Sequence, residues 1–429
     1  MVRRSDDVRR RDILKAISTI GTIGITGLAG CTGSGGGGGG GSNGSGGGES
    51  GLGRVHVGVV NPFSGVYSNL GNAELQGAKL AVQDLQEEFD IEVDITTADT
   101  AADPDTGVRR IEEVVVQENV DVVMGGVSSS VAIAMGQWAS RNNVAFIASG
   151  SHSDATTGGD CAKYMWRTPS SNTMLARTAG AAMADYADSW TLVYADYTWG
   201  QTARDAVSQV LKSKGVDVVD AIAVPLGAND YTAALSKVQN SGAEALGNIT
   251  AGADTTRLSQ QYLDSGIANQ VKMGGVLFES DNFYALGPEG AAQMGVWGTV
   301  WAPSIQSGQM GEFVGRVAKE YDRTAFSRHY LGYTSMDQLV RAAIRASSIE
   351  ASDIRGQLEG HDYSDVGLLD ETEKWRDCDH QNIKPTYAVQ AKPVEEMTDK
   401  AGERIWFEKV SERPGSEVIR ACDATGCTL

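Results

Sequence analysis

From Val55 to Phe278 the chain repeats one pattern: a short apolar run, a polar loop, then apolar residues at helical spacing. Val55–Val60 reads as a buried strand that stops at Asn61-Pro62, and Ala73–Glu88 reads as a helix with Leu75, Ala78, Leu80, Ala81 and Leu85 on one face. Strands over 91–97, 120–125 and 144–148 follow, separated by helices over 107–117 and 131–142, the first with Asp105 and Thr106 as candidate caps. The series restarts at Trp190–Ala195 and runs through strands 216–224, 245–249 and 272–278, with helices at 200–214, 231–241 and 254–265. Such alternation makes parallel sheets covered on both faces. A chain of 429 residues is too long for one core. The reading is α/β, with two doubly wound parallel-sheet lobes.

In open parallel sheets a ligand sits beyond the carboxyl ends of the strands. The loops that follow strands therefore matter most. Gly125-Gly126-Val127-Ser128-Ser129-Ser130 comes after the third strand and opens a helix, so its hydroxyls and free N–H groups can cradle a carboxylate or amide, or simply cap the helix. Ser149-Gly150-Ser151-His152-Ser153 follows the fourth strand, and both loops should face one cleft. Tyr186, Tyr194, Tyr197 and Tyr231 are further candidates to reach it.

The first thirty-one residues read as an address. Arg9, Arg10 and Arg11 precede a mildly apolar stretch, Ile13–Ala29, that contains Lys15 and is too short and polar for a membrane span. Arg10-Arg11-Asp12-Ile13-Leu14-Lys15 resembles a twin-arginine export signal, and Leu28-Ala29-Gly30-Cys31 resembles a lipobox that would make Cys31 the lipidated first residue. Residues 32–52 are nearly all Gly, Ser and Asn, a flexible leash between anchor and body. The formal net charge of −19 argues against nucleic acid as a partner. Joined to an export route for folded cargo, it suggests an extracellular protein of a high-salt organism.

Cys161, Cys378, Cys422 and Cys427 remain in the body, an even number that favours disulfides in an exported chain. Three pairings are possible; one closes the short Cys422–Cys427 loop and leaves Cys161 with Cys378. No metal spacing is present, and no cofactor is called for. Outside the Gly/Ser run of residues 32–52 the chain has no GxSxG elbow, GxxxxGK[ST] loop or HExxH, the Gly125–Ser130 loop is not GxGxxG, and there are five histidines in all. A hydrolase built on Ser128, Ser129 and His152 is the catalytic alternative; a binding protein is preferred.

Six segments resemble, in order, the solute-binding proteins of ABC importers for branched-chain amino acids, urea and amides. They are NPFSGVYSNLGNAELQGAKLAVQDL, VDVVMGGVSSSVAIA, VAFIASGSHSDAT with YMWRT, TLVYADYTWGQTA, LGYTSMDQLVRAAIRA and RDCDHQNIKPTYAV. The likeness spans residue 53 to about 390, behind a leader of haloarchaeal lipoprotein type. It implies the type I periplasmic-binding-protein fold, two lobes joined by three crossovers near 167–170, 300–303 and 386–389. Lobe one would comprise 53–168 and 303–386, lobe two 169–302 and 387–429. Cys161 and Cys378 then fall beside crossovers, which adds weight to pairing them.

The resemblance implies capture of a small polar solute (amino acid, amide, urea or carboxylate) and its delivery to membrane permease subunits, or sensing by the same fold. It assigns the ligand's carboxylate or amide end to Ser128, Ser129, Gly150, Ser151 and His152, although the family usually has a hydroxyl residue at His152. Trp199, where the family often has Tyr, would be an aromatic lid with its ring N–H available. Glu279 matches the acidic position for an amino group. Ala251, Gly252 and Asp254 lie where amino-acid-binding members often carry an aromatic, and Tyr333 matches an aromatic of the GY motif. The job of the tail after Thr398 is not evident from the residues.

Overall fold

In a computed structural model, residues 51–363, 368–369, 373–400 and 403–429 are described. The leader, Cys31 and nearly all of the Gly/Ser run lie outside them. The first sheet takes β1 (Arg54–Asn61), β2 (Glu92–Asp99), β3 (Val122–Gly125), β4 (Phe146–Ala148) and β5 (Met165–Arg167), all parallel, in the order β2-β1-β3-β4-β5. Its centre is apolar on both faces: Val57, Val59, Val60, Val122 and Val123 are buried. Helices Ser68–Phe89, Pro104–Val116 and Ser129–Arg141 follow β1, β2 and β3. The cap of the second is Asp103, which accepts from Thr106 N at 2.8 Å, ahead of the predicted Asp105 and Thr106. Pro104 sets the helical φ at the first position, so the helix begins there.

The second sheet contains β6 (Ser189–Ala195), β7 (Asp217–Val224), β8 (Ala245–Ile249), β9 (Lys272–Gly275) and β10 (Val296–Thr299), all parallel. Beyond them the short strands β11 (Asp362–Tyr363), β12 (Glu373–Trp375) and β13 (Asn382–Ile383) form a small antiparallel sheet. Then β14 (Thr386–Ala391) joins β10 antiparallel, β15 (Thr398–Lys400) and β16 (Glu403–Ile405) make a hairpin, and β17 (Phe407–Arg413) adds antiparallel to β14. The full order is β17-β14-β10-β9-β8-β6-β7, so the parallel core carries an antiparallel edge that the alternation did not announce. The architecture is α/β with two parallel-sheet lobes.

Both sheets reverse strand order beside their first strand, at β1/β3 in one and β6/β8 in the other. Those switch points open crevices at the strand ends. Helix Ser327–Ala346 is buried along most of its length and lies across Ser68–Phe89. The crossing is backbone against backbone: a Cβ on Gly77 would come within 1.9 Å of His329 O, and one on Gly332 within 2.0 Å of Glu74 O. That close approach sets Glu74, in the second turn of one helix, beside Arg328, in the first turn of the other. Tyr333 belongs to this packing, with its hydroxyl on Asp84 at 2.6 Å and its ring edge-on to Phe313.

The cysteines pair as Cys161–Cys427 and Cys378–Cys422, replacing the expected Cys422–Cys427 and Cys161–Cys378 arrangement. The tail itself sets this pairing. Arg376 Nη1 donates to Arg420 O at 2.6 Å and Arg420 Nη2 to Asp154 O at 2.7 Å, so Cys422 is laid beside Cys378 and the chain end beside Cys161. The tail after β17 thus returns from the second sheet to loops of the first.

Candidate functional site

A cavity lies between the two sheets at both switch points. Its wall is Tyr67 from the loop after β1, Val127 after β3, Gly150 and His152 after β4, Tyr197 and Trp199 after β6, Ala251 after β8, Leu277 after β9, and Arg328. Its volume is about 10 Å³, the space of a single water. The lobes are shut upon it. Tyr67 and Tyr197 meet hydroxyl to hydroxyl at 2.7 Å, and Ser153 Oγ lies 3.1 Å from Thr202 Oγ1. Asp281 is held by Asn69 and by Arg323, the latter at 3.2 Å.

Arg328 anchors the polar side. Its Nε donates to Glu279 Oε1 at 2.5 Å, and its Nη1 donates to Glu74 Oε1 at 3.1 Å and to Gly150 O at 2.9 Å. Glu74 also accepts from Ser149 Oγ at 2.5 Å and Asn61 Nδ2 at 2.9 Å. Burial pushes the Glu74 carboxyl above its ordinary range, opposed by the Arg328 charge and these donors. Arg328 keeps its proton because both carboxylates outweigh the cost of burying it. All three side chains are 2% exposed or less, and the ion pair with Glu279 joins the two lobes. Such a cluster holds only while each charge has its partner.

His152 has a fixed role. Nδ1 lies 2.8 Å from Ser170 O, which can only accept, so Nδ1 carries the hydrogen. Burial, together with the nearby Arg328 charge, pulls the ring well below the ordinary histidine range and keeps it neutral. Nε2 therefore offers a lone pair. The resemblance places this imidazole at the ligand's carboxylate or amide end; its available atom is an acceptor.

Of the predicted residues, Gly150, His152 and Trp199 reach the wall. Ser128, Ser129 and Ser151 are buried but turned to other work: Ser128 Oγ is 3.2 Å from Ser130 Oγ, Ser129 Oγ accepts from Ser153 N at 3.3 Å, and Ser151 Oγ is 2.6 Å from Thr156 Oγ1. Glu279 serves Arg328. Asp254 braces the Gly227 amide at 2.7 Å and Arg257 at 2.8 Å. Tyr197 reaches the cleft, whereas Tyr186, Tyr194 and Tyr231 do not line it. Arg328 and Glu74 escaped the sequence reading, as did Tyr67 and Leu277.

Two parallel-sheet lobes closed on a polar cavity at their switch points define the type I periplasmic-binding-protein architecture. The chain belongs to the periplasmic binding protein family, whose profile matches residues 54–401. It is 26% identical over 241 residues to Leu/Ile/Val-binding protein homolog 6 of Brucella melitensis, covering 54% of this chain and 61% of that protein's length. A solved periplasmic binding protein from Burkholderia mallei superposes with a TM-score of 0.81 at 23% identity, covering 88% of this chain and 99% of that one. A solute-binding protein of an ABC transporter from R. palustris, solved in complex with benzoate, gives 0.76 at 18% identity, covering 88% and 100%. No described helix is long and apolar enough to cross a membrane.

Proposed function

We propose that this protein is the extracellular solute-binding receptor of an ABC importer, anchored through lipid on Cys31 after twin-arginine export. A small polar solute enters between the open lobes, they hinge shut, and polar groups of both lobes enclose it before the closed form docks on the permease. The observation that carries this reading is the convergence of loops from both switch points, with Tyr67–Tyr197 and Glu74–Arg328–Glu279 closing the cleft across the lobes. Binding without chemistry is supported by the same geometry: among the described residues neither Ser128 nor Ser129 hydrogen-bonds His152, whose Nδ1 is committed to Ser170 O. The acidic composition and the leader support a high-salt exterior as the setting.

A melting-temperature screen in molar salt tests the reading, with branched-chain amino acids, glutamate, urea, short amides, and aliphatic and aromatic acids as solutes. A bound solute raises the melting temperature by mass action. The expected result is a concentration-dependent rise with at least one class; a flat response across all of them contradicts it.

A further inference from the structure

Two donors at the cavity lack acceptors. Arg328 Nε and Nη1 are committed to Glu279, Glu74 and Gly150 O, but Nη2 has no partner among the described residues. Trp199 lines the same cavity, and its indole Nε1 is buried and unpartnered. A buried donor left unmade is costly, so the Trp199 indole calls for an oxygen acceptor, and Arg328 Nη2 can donate to the same one. Glu279, the acidic group of the opposite lobe, already accepts from the guanidinium of the chain itself. A ligand ammonium placed on that carboxylate would stand beside the Arg328 cation in a site with little water, where like charges repel strongly. The remaining wall (Val127, Ala251, Leu277 and the aromatic rings) suits a hydrocarbon body.

We infer that the solute presents a carbonyl or carboxylate oxygen to Arg328 Nη2 and Trp199 Nε1 and carries no ammonium group. It is a small acid or amide with an apolar body, not an α-amino acid. This rests on the receptor reading above and narrows it. The His152 Nε2 lone pair can accept from an amide N–H or a hydroxyl of the same solute.

Calorimetric titration in molar salt tests this with solutes that differ at one group. On the leucine skeleton these are leucine, 4-methylpentanoate, 4-methylpentanamide and 3-methylbutylamine; on a ring they are phenylglycine, benzoate, benzamide and benzylamine. If the melting screen finds a different skeleton, the same four head groups are placed on it. The expected result is that the acid or the amide binds roughly tenfold tighter or more than the matching amino acid, and the amine does not bind. The acid and amide arms also show whether the oxygen is ionised. Trp199→Phe, which removes the N–H and leaves an aromatic wall, should weaken that binding about tenfold. Tighter binding of the amino acid or amine, lost on Glu279→Gln, overturns the inference and leaves the receptor standing. If no solute binds in either assay, the receptor reading falls and the inference with it.

Discussion

Tyr67 and Tyr197 face each other across the cleft, hydroxyl to hydroxyl at 2.7 Å, each from the loop after the first strand of its sheet. The pair is a bond between lobes. It must break for a solute of metabolite size to enter a cavity that now holds about one water. Tyr197→Phe should shift the closed-to-open ratio about fivefold, from loss of a bond worth about 1 kcal/mol. Small-angle scattering of the ligand-free protein should show a larger radius of gyration; an unchanged radius would mean that other contacts alone hold the lobes.

Closure also depends on a glycine. Gly252 has φ +57, and a Cβ there would stand 2.6 Å from Val66 O on the opposite lobe. Gly252→Ala should hold the lobes apart and weaken solute binding by roughly tenfold or more, since the closed form alone completes the polar contacts. Full affinity in this variant would show that the two loops need not meet.

Gly332 supports the site from behind. Its added methyl would stand 2.0 Å from the Glu74 carbonyl, so Gly332→Ala must push helix Ser327–Ala346 off Ser68–Phe89. A loss of about 1–3 kcal/mol or more is expected in denaturant unfolding, with weakened solute binding because Glu74 and Arg328 separate. Wild-type stability would contradict the described crossing.

The two disulfides fix a tail that crosses from the second sheet to the first. Cys161–Cys427 closes a separation of 266 residues and Cys378–Cys422 one of 44. Replacing either pair by Ser should cost about 2–5 kcal/mol in urea unfolding. Mass spectrometry of the unreduced, digested protein should find these two cross-links; a Cys422–Cys427 link would refute the pairing.

Acid should destabilise the protein through its buried histidines. His329 is pulled down to about 3 by burial and by the Arg323 charge; its Nδ1 accepts from Phe326 N at 3.2 Å, and Nε2 faces Gln76 Oε1 at 3.0 Å. The unfolded chain takes a proton near pH 6.5 while the folded one resists until about 3. Stability is therefore complete above pH 6.5 and falls as pH drops toward 3, by about 1.4 kcal/mol per pH unit from this one group. His152 acts in the same direction. His329→Gln should flatten the fall in unfolding midpoint between pH 6.5 and 4.5; an unaltered slope would assign the acid sensitivity elsewhere.

Much of the scaffold is legible in the residues, because runs such as Val55–Val60, apolar apart from His56, read as buried parallel strands. The switch-point loops follow from those strands, and Gly150, His152 and Trp199 with them. Arg328 is different. A charged residue in the first turn of a helix reads as solvated, and its burial is decided by Glu74, 254 positions away, and Glu279, 49 away. Glu74 is hidden for the same reason. Local polarity marks Ser128 and Ser129 as candidates, but neighbouring residues consume their hydroxyls, which no spacing reveals. The short strands β5 and β10 fall outside the strand–helix alternation that marks β3, β4 and β9, which are no longer than they are. Proximity in sequence favours Cys422–Cys427, and only the path of the tail over Arg376 and Asp154 reverses it.

The central claim is that one solute is enclosed between the lobes by groups from both. A crystal structure of the protein grown with the best solute of the melting screen tests it most directly. The account predicts the solute between Tyr67 and Trp199, with an oxygen within hydrogen-bond reach of Arg328 Nη2. A solute bound away from this cleft, or held by one lobe while the other makes no contact, would contradict it.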